Sequence, residues 1–561
     1  MPLAPDHART VRRWAPSHED PLVASGTARI GGPLGAHAAV GRARFSALRV
    51  LFALALVGLA IGWSGKTACV QQTPVSPSNA DGSGSTAPKA EARQSPDATM
   101  RLNWDRQRDL YSLCYTDLPP VLTRQHLGEG IPFWTTWTTK SDDGKSHVGR
   151  LPAPVGAGFL AYSAARATAA WQWMHVHWGV PSAISPAVFF NILAVVLALC
   201  WLVTIWALVK IADERRWAVW VAALSPVIFV HAFTSIDLFT VAFVMTGLLA
   251  WSRRRPILAG VLLGLGVSTG YWVLFVLLAL AVQQIASMRG DRAQVSAEAL
   301  ADAVGAPADG GRVPVDGGRV PADGGRVPIE ALAESGVSRP GVSRPGASRR
   351  LLSGYANLIR VLVAAVAIWL VVNLPVMIGT FSGWIHYFRF LGARPPEPDS
   401  VYGAIANLGN LSLNITAVNV ISLVLTVVMV VAVIVVVLRS PRAFDVYSIA
   451  FLLVAGVLIA SKVWSPQSTL WLVPLAVLAV KSSRILMAWM LVEALAWVPR
   501  MGVYLDPEHH WLPPQWYTLA VVVRLIAVLG VALHIVWQHY DVEPEPAPLP
   551  GNLDRSPAPT G

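Results

Sequence analysis

Charged side chains are scarce in this chain of 561 residues, at 14%, where an ordinary soluble domain carries about 25%. Hydrophobic residues make up 54% and the mean hydropathy is +0.50. That balance excludes a soluble domain and implies an all-α, polytopic integral membrane protein. Cysteine is nearly absent, with three in all. Cys200 falls inside a hydrophobic span and reads as packing. Cys69 and Cys114 flank the first polar loop, and a disulfide between them is chemically allowed if that loop lies outside the membrane. No nucleotide-sugar or P-loop signature is present. "GVLLGLGVSTG" (Gly260–Gly270) has the look of a nucleotide loop, but it lies in an apolar span with no strand before it, so close helix packing is expected. Lys and Arg exceed Asp and Glu by 44 − 33 = 11. In a membrane protein such an excess marks cytoplasmic loops, so it is not read as nucleic-acid binding.

Hydrophobic spans are expected at 49–65, 185–211, 217–233, 236–251, 257–270, 272–288, 352–376, 418–438, 444–461, 467–480, 484–499 and 516–537, about twelve in all. Several are shorter than the ~20 residues that cross a bilayer. The first follows too long a basic region to be a cleavable signal peptide, and reads as a signal anchor with its N-terminus inside. Lys66 stands where a lipoprotein signal needs an aliphatic residue. Starting inside, the even-numbered spans end at "KIADERR", "SRRR", "SMRGDR", "RSPR", "KSSR" and the C-terminal tail, the first five basic, as the positive-inside rule requires. Residues 151–178 are expected as one or two interfacial or re-entrant helices on the outer face, because a further crossing would place "KIADERR" outside.

The domain plan follows. Residues 1–48 are a disordered basic cytoplasmic tail. Residues 49–292 form the first half of the membrane domain, with a large extracytoplasmic loop at 66–184. Residues 293–350 are a disordered cytoplasmic linker whose "DGGRVPVDGGRVPADGGRVP" repeats every seven residues with Pro in each copy, which forbids a helical heptad. Residues 351–540 form the second half, and 541–561 a Pro-rich tail.

Polar chemistry gathers at the outer turns. The first loop carries Asp105, Asp109 and Asp117. The third-to-fourth turn carries His231 and Asp237. The loop after span seven carries His386, Arg389, Arg394 and Tyr402. Lys462 and Gln467 follow span nine, and Asp506, His509 and His510 follow span eleven. Each has a plain reading: Lys462 as a headgroup anchor, Asp237 as a helix cap, His509 and His510 as solvated loop. His175 and His177 have metal-like spacing without a further partner, and Asn410 and Asn414 open short glycosylation-type motifs.

"CYTDLPPVLTRQHLGEGIPF" (Cys114–Phe133), "SPVIFVHAFTSIDLFTVAF" (Ser225–Phe243) and "KVWSPQSTLWLVPLAVLA" (Lys462–Ala479), in this order and on one face, resemble the polyprenyl-phosphate-sugar-dependent glycosyltransferases of family 87, in the GT-C superfamily, of the actinobacterial α-mannosyltransferase type. The resemblance spans roughly 49–540. Thr116 and the Ser235–Ile236 pair depart from the family pattern, while Asp117 and Asp237 keep it. The resemblance implies transfer of a hexose, typically mannose, from a polyprenyl-phosphate donor to an envelope glycan or glycolipid by single inverting displacement. The chemistry would sit at the extracytoplasmic face of the cell membrane. Asp117 is the expected base, with Asp237 orienting a substrate or replacing it. Lys462, Gln467, Arg389 and Arg394 are the expected phosphate ligands. No cofactor is demanded; a divalent metal is compatible. Two other readings use the same residues: a flippase of polyprenyl-linked lipids, or a non-catalytic envelope-assembly scaffold. The clustering of polar groups on one face, rather than at the midplane, favours the enzyme.

Overall fold

The computed structural model describes residues 46–74, 97, 99–140, 146–304, 345–506, 508 and 512–541. Most of the basic N-terminal tail, the repeats of the linker, His509, His510 and nearly all of the Pro-rich tail lie outside them.

The architecture is helical throughout. Helix α1 (Ala47–Thr67) starts at Ser46, whose hydroxyl accepts from the Arg49 amide. The first loop follows, with two small antiparallel pairs. In one, β1 (Gln72–Pro74) aligns Gln72 with Leu102 of β2 (Met100–Leu102). In the other, β3 (Trp137–Lys140) aligns Trp137 with Gly149 of β4 (Ser146–Gly149). The same loop holds α2 (Leu118–Arg124) and α3 (Val155–Trp178). The first half then runs through α4 (Ser185–Ala212), α5 (Pro226–His231), α6 (Asp237–Ser252), α7 (Pro256–Thr269) and α8 (Val273–Val304). The second half contains α9 (Pro345–Gly379), α10 (Phe381–Ala393), α11 (Val401–Gly409), α12 (Ile415–Arg439), α13 (Val446–Ala460), α14 (Thr469–Ala479), α15 (Ser483–Leu495), α16 (Trp497–Tyr504) and α17 (Pro514–Tyr540).

Helix starts follow the punctuation of the sequence. Pro stands in the first turn of α4, α5, α7 and α17, where its missing N–H costs no hydrogen bond. Asn414 caps α12 by accepting from the Ala417 amide, and Asp445 caps α13 by accepting from Tyr447 and Ser448. Asn410 ends α11 in the left-handed conformation. Both Asn residues of the glycosylation-type motifs therefore have structural work.

Among the described residues, six helical stretches are long and apolar enough to cross a membrane, and five apolar helices are shorter. Helix α12 shows what surrounds the bundle. Its hydropathy is 3.4, yet only 6% of its most apolar window is covered by protein. Such a surface is stable only against hydrocarbon. The short helices lie deeper. At 16 residues α6 is about 24 Å long, below the ~30 Å hydrocarbon thickness. Such short elements are tolerated because their irregular ends are buried in protein or line a cavity.

Helices α7 and α9 pack backbone to backbone. A Cβ on Gly260 would lie 2.3 Å from the Val361 carbonyl oxygen, and one on Gly264 2.4 Å from that of Ala365. This is the close packing expected of the glycine-rich span.

Two expectations need correction. The span expected at 217–233 is not one helix: it breaks at Leu224 and Ser225 between a turn at Trp220–Ala223 and α5. Ser225 caps the second piece, and Pro226 cannot donate back into the first. The linker expected over 293–350 is narrower, since α8 reaches Val304 and α9 begins at Pro345.

Within residues 151–178 there is one helix, α3 (Val155–Trp178), whose two ends lie at the same end of the bundle. Gly156 packs on Ser268 and Thr269 at the end of α7. Gln172 donates to the Ala183 carbonyl just before α4 begins, at 2.7 Å. Helix α3 therefore lies along that end instead of crossing. The opposite end is basic: Arg215 donates to the Val480 carbonyl at 2.9 Å, and Arg253 to that of Lys210 at 3.4 Å.

Candidate active site

The loop between α1 and α2 is tied down at five points. Cys69 and Cys114 form a disulfide. Trp104 donates its indole N–H to the Cys69 carbonyl at 2.8 Å, and Arg108 donates to that of Ala68 at 3.0 Å. Lys66 Nζ donates to the Tyr115 carbonyl at 2.7 Å, with the Trp497 ring 4.5 Å beneath it. Trp497 in turn donates to the Leu113 carbonyl at 2.9 Å.

These ties deliver Thr116 and Asp117 to the turn between α5 and α6. Thr116 Oγ1 donates to the Phe233 carbonyl at 2.7 Å, and the Asp117 amide donates to that of Thr234 at 3.0 Å. Pro119 and Pro120, both buried, then start α2. Asp117 occupies the capping position of α2, yet its side chain caps nothing. Its Oδ1 instead accepts from Tyr115 Oη at 2.7 Å, and its Oδ2 from Gln467 Nε2 at 3.4 Å. An aspartate diverted from its usual local bond is left facing a cavity.

That cavity has a volume of about 440 Å³. Asp117, Asp109 and Glu397 line it, and so do Arg124, Arg394 and Arg500. Arg500 is braced from behind by the fully buried Asp399, at 2.9 and 3.1 Å, and stacks on Trp497 and Tyr504. Arg394 pairs with Glu397, whose other oxygen accepts from Ser465 at 2.8 Å. Arg124, at the end of α2, has no ion-pair partner among the described residues. Burial raises the pKa of Glu397 above the usual carboxylate value, against the opposing pull of Arg394. Burial also raises Asp109, and the Arg124 charge partly offsets it. Tyr115 is held above its ordinary value by burial and by the Asp117 charge, so its hydroxyl keeps its proton and stays a donor.

Asp237 is the first residue of α6 and does not cap it. It accepts from Ser235 Oγ, and from Trp471 Nε1 at 2.9 Å. Trp471 stacks flat on Trp272 with ring centres 5.0 Å apart. Gln467 and Trp471 are four residues apart, one turn, and so share a face at the start of α14. That face presents one donor to each expected catalytic carboxylate. Asp237 does not line the 440 Å³ cavity.

The expected phosphate ligands divide. Arg394 and Gln467 line the cavity, although Gln467 gives its amide to Asp117. Lys462 is buried, and its Nζ donates to the carbonyls of Arg394 at 2.6 Å and Gly392 at 3.1 Å. It clamps the loop carrying Arg394 and is not among the cavity residues. Burial, with Arg394 nearby, lowers its pKa. Arg389 is exposed on α10, away from the cavity. His175 and His177 bond to the carbonyls of Val180 and Trp173, so neither stands as a ligand awaiting a metal. Among the described residues no three His, Cys, Asp or Glu side chains gather to hold a metal ion.

Tyr115, Arg124, Glu397 and Arg500 were absent from the expected site. One signal pointed to Arg500. It stands at the end of the expected span 484–499 that the alternation of basic turns assigns to the outside, where the positive-inside rule disfavours a cation.

Residues 157–301 match the family model of Glycosyltransferase family 87. No curated protein and no solved structure matches the chain. The matched segment contains Asp237; Asp117, Arg394, Lys462 and Arg500 lie outside it. The match supports a membrane glycosyltransferase of the GT-C type, an enzyme that joins a sugar donor to an acceptor.

Proposed function

We propose that this glycosyltransferase transfers a hexose, mannose in the first instance, from a polyprenyl-phosphate donor to a hydroxyl of an envelope glycan or glycolipid, at the extracytoplasmic face of the cell membrane. The observation that carries the reading is Asp117: a carboxylate held by Tyr115 and Gln467, released from capping, in a polar cavity walled by three guanidinium groups.

The acceptor hydroxyl gives its proton to Asp117 as its oxygen bonds to the anomeric carbon. The bond from that carbon to the phosphate oxygen breaks, and its electron pair leaves on the lipid phosphate. The result is one displacement with inversion. A lipid phosphate is already a good leaving group, so it needs charge stabilisation more than a proton. Arg124, Arg394 and Arg500 are suited to that task, since guanidinium groups bind phosphate bidentately. Lys462 supports them by fixing the Arg394 loop. Asp237, held by Ser235 and Trp471, orients the sugar from the neighbouring turn. The sidedness rests on charge: the basic turns gather at the bundle end opposite Asp117, and basic ends face the cytoplasm.

The test uses membranes of cells lacking the protein, supplied with polyprenyl-phosphate mannose. Loss of one mannosylated product, restored by the wild type and not by Asp117→Asn, is the expected result. Full restoration by Asp117→Asn removes Asp117 from the chemistry. Lipid flipping by the purified chain without sugar transfer would replace the enzyme by a transporter.

A further inference from the structure

A second groove lies away from the site. It has a volume of about 940 Å³ and runs between α4, α6 and α7. From Phe239, two residues past Asp237, along α6 to Leu249 its walls are apolar but for Thr246, whose hydroxyl donates to the Ala242 carbonyl. From Phe239 to Arg253 α6 advances 14 residues, about 21 Å. That exceeds the ~15 Å half-thickness of a bilayer core, so a whole acyl chain fits lengthwise.

One end of the groove is different. Lys210, Arg253 and Arg255 line it, from the ends of α4 and α6 and the start of α7. All three are exposed, and none is ion-paired with a described carboxylate. Topology accounts for cations at this end of the bundle; it does not account for three helices bringing one each to the mouth of one apolar groove.

We infer that this groove is a binding site for an anionic diacyl phospholipid, with its phosphate among Lys210, Arg253 and Arg255 and an acyl chain along α6. The charge of the mouth selects the headgroup, and the length of the wall selects a lipid over a free phosphate. The site is separate from the proposed chemistry and stands whether or not Asp117 is the base.

The test is a titration of the purified full chain with phosphatidylglycerol or phosphatidylcholine of equal chain length, read by native mass spectrometry. Each Lys or Arg near an anionic headgroup contributes roughly fivefold in affinity, so three contribute on the order of a hundredfold. Wild type is expected to prefer phosphatidylglycerol by about that factor. K210Q/R253Q/R255Q is expected to lose the preference, and R439Q/K481Q/R484Q, with equal loss of charge elsewhere at the same end, to keep it. Thr246→Trp, which narrows the groove without touching charge, is expected to weaken both lipids. The inference is overturned if wild type shows no preference, if the first triple variant keeps it, or if the second loses it equally. It is also overturned if glycerol phosphate competes as well as the lipid, or if the lipid carried through purification is a polyprenyl phosphate.

Discussion

Asp117→Asn separates chemistry from architecture at a single side chain. The amide has the shape of the carboxylate, and its oxygen can still accept from Tyr115 Oη, now 2.7 Å away. On the other side, the new NH₂ would meet Gln467 Nε2, a donor against a donor. Gln467 Oε1 is buried without a partner, so a flip of the Gln467 amide restores a bond. The backbone tie to Thr234 does not involve the carboxylate. Stability should therefore fall by less than about 1 kcal/mol, the scale of one neutral hydrogen bond. What disappears is the proposed base. Positioned general bases contribute ~10²–10⁴-fold, or about 2.7–5.5 kcal/mol of barrier at 1.36 kcal/mol per decade. Initial rates of sugar transfer by purified enzyme, at saturating and limiting polyprenyl-phosphate sugar, give kcat and KM separately. The expected result is a fall in kcat of that size, with donor KM within about threefold of wild type. A kcat within a factor of a few of wild type would refute the assignment. So would a loss confined to KM, which would make Asp117 a binding group. The same measurement on Asp237→Asn should give the smaller kcat effect; the reverse order would move the base to Asp237.

Three further perturbations probe the walls of the site. Lys462→Ala removes two hydrogen bonds from a charged donor, each worth about 1.5–3 kcal/mol. It should raise donor KM at least tenfold, while Lys462→Arg, which can reach the same carbonyls, should recover part of it. A normal KM in the alanine variant would show that the Arg394 loop stands without the clamp. Asp399→Asn leaves the Arg500 charge buried without its counter-ion, a loss of about 3–5 kcal/mol. Its thermal transition should fall by several degrees, and an unchanged transition would mean that water reaches Arg500. Glu397 has a raised folded pKa, so the folded state binds its proton more tightly than the unfolded chain. That contribution is fully present below the ordinary glutamate value of 4.5 and is lost as pH rises through the raised value. The thermal stability of Glu397→Gln should therefore vary less with pH across that window than wild type, and parallel profiles would refute the assignment.

Sequence and structure agree where periodicity and charge carry the information. The alternation of basic turns is read along the chain without knowing any contact, and the structure gathers Arg215, Arg253 and Arg442 at one end of the bundle. The glycine seam of α7 was legible because only close backbone approach explains such spacing in an apolar span. The break in the third span was less so. Ser225–Pro226 is a helix start by its chemistry, but a hydrophobic run on both sides hides it from hydropathy. Of the expected residues, Asp117, Arg394 and Gln467 line the cavity, and Asp237, Lys462 and Arg389 do not. Asp117 was visible because Pro119 and Pro120 fix its turn. Its partners lie 350 residues away at Gln467 and two residues away at Tyr115, and only the fold says which tyrosine or glutamine will face it.

Lys462 shows why the cations were misread. A lysine at the outer end of a span resembles a phosphate ligand because both need an exposed ammonium, and sequence records neither burial nor neighbours. The fold buries it and gives it two carbonyls. Lys66 takes the same part beside Asp117, donating to the carbonyl two residues before it. Arg500, the third cation that breaks the positive-inside pattern, keeps its guanidinium at the cavity because Asp399 braces it from behind. The three divide the work by chemistry. An ammonium donates from one point and suits backbone carbonyls; a planar guanidinium can bond a carboxylate on one edge and offer another to a phosphate. A lysine in place of Arg500 could hold Asp399 or face the cavity, but not both. That geometric limit, more than the charge, is what fixes an arginine at this position.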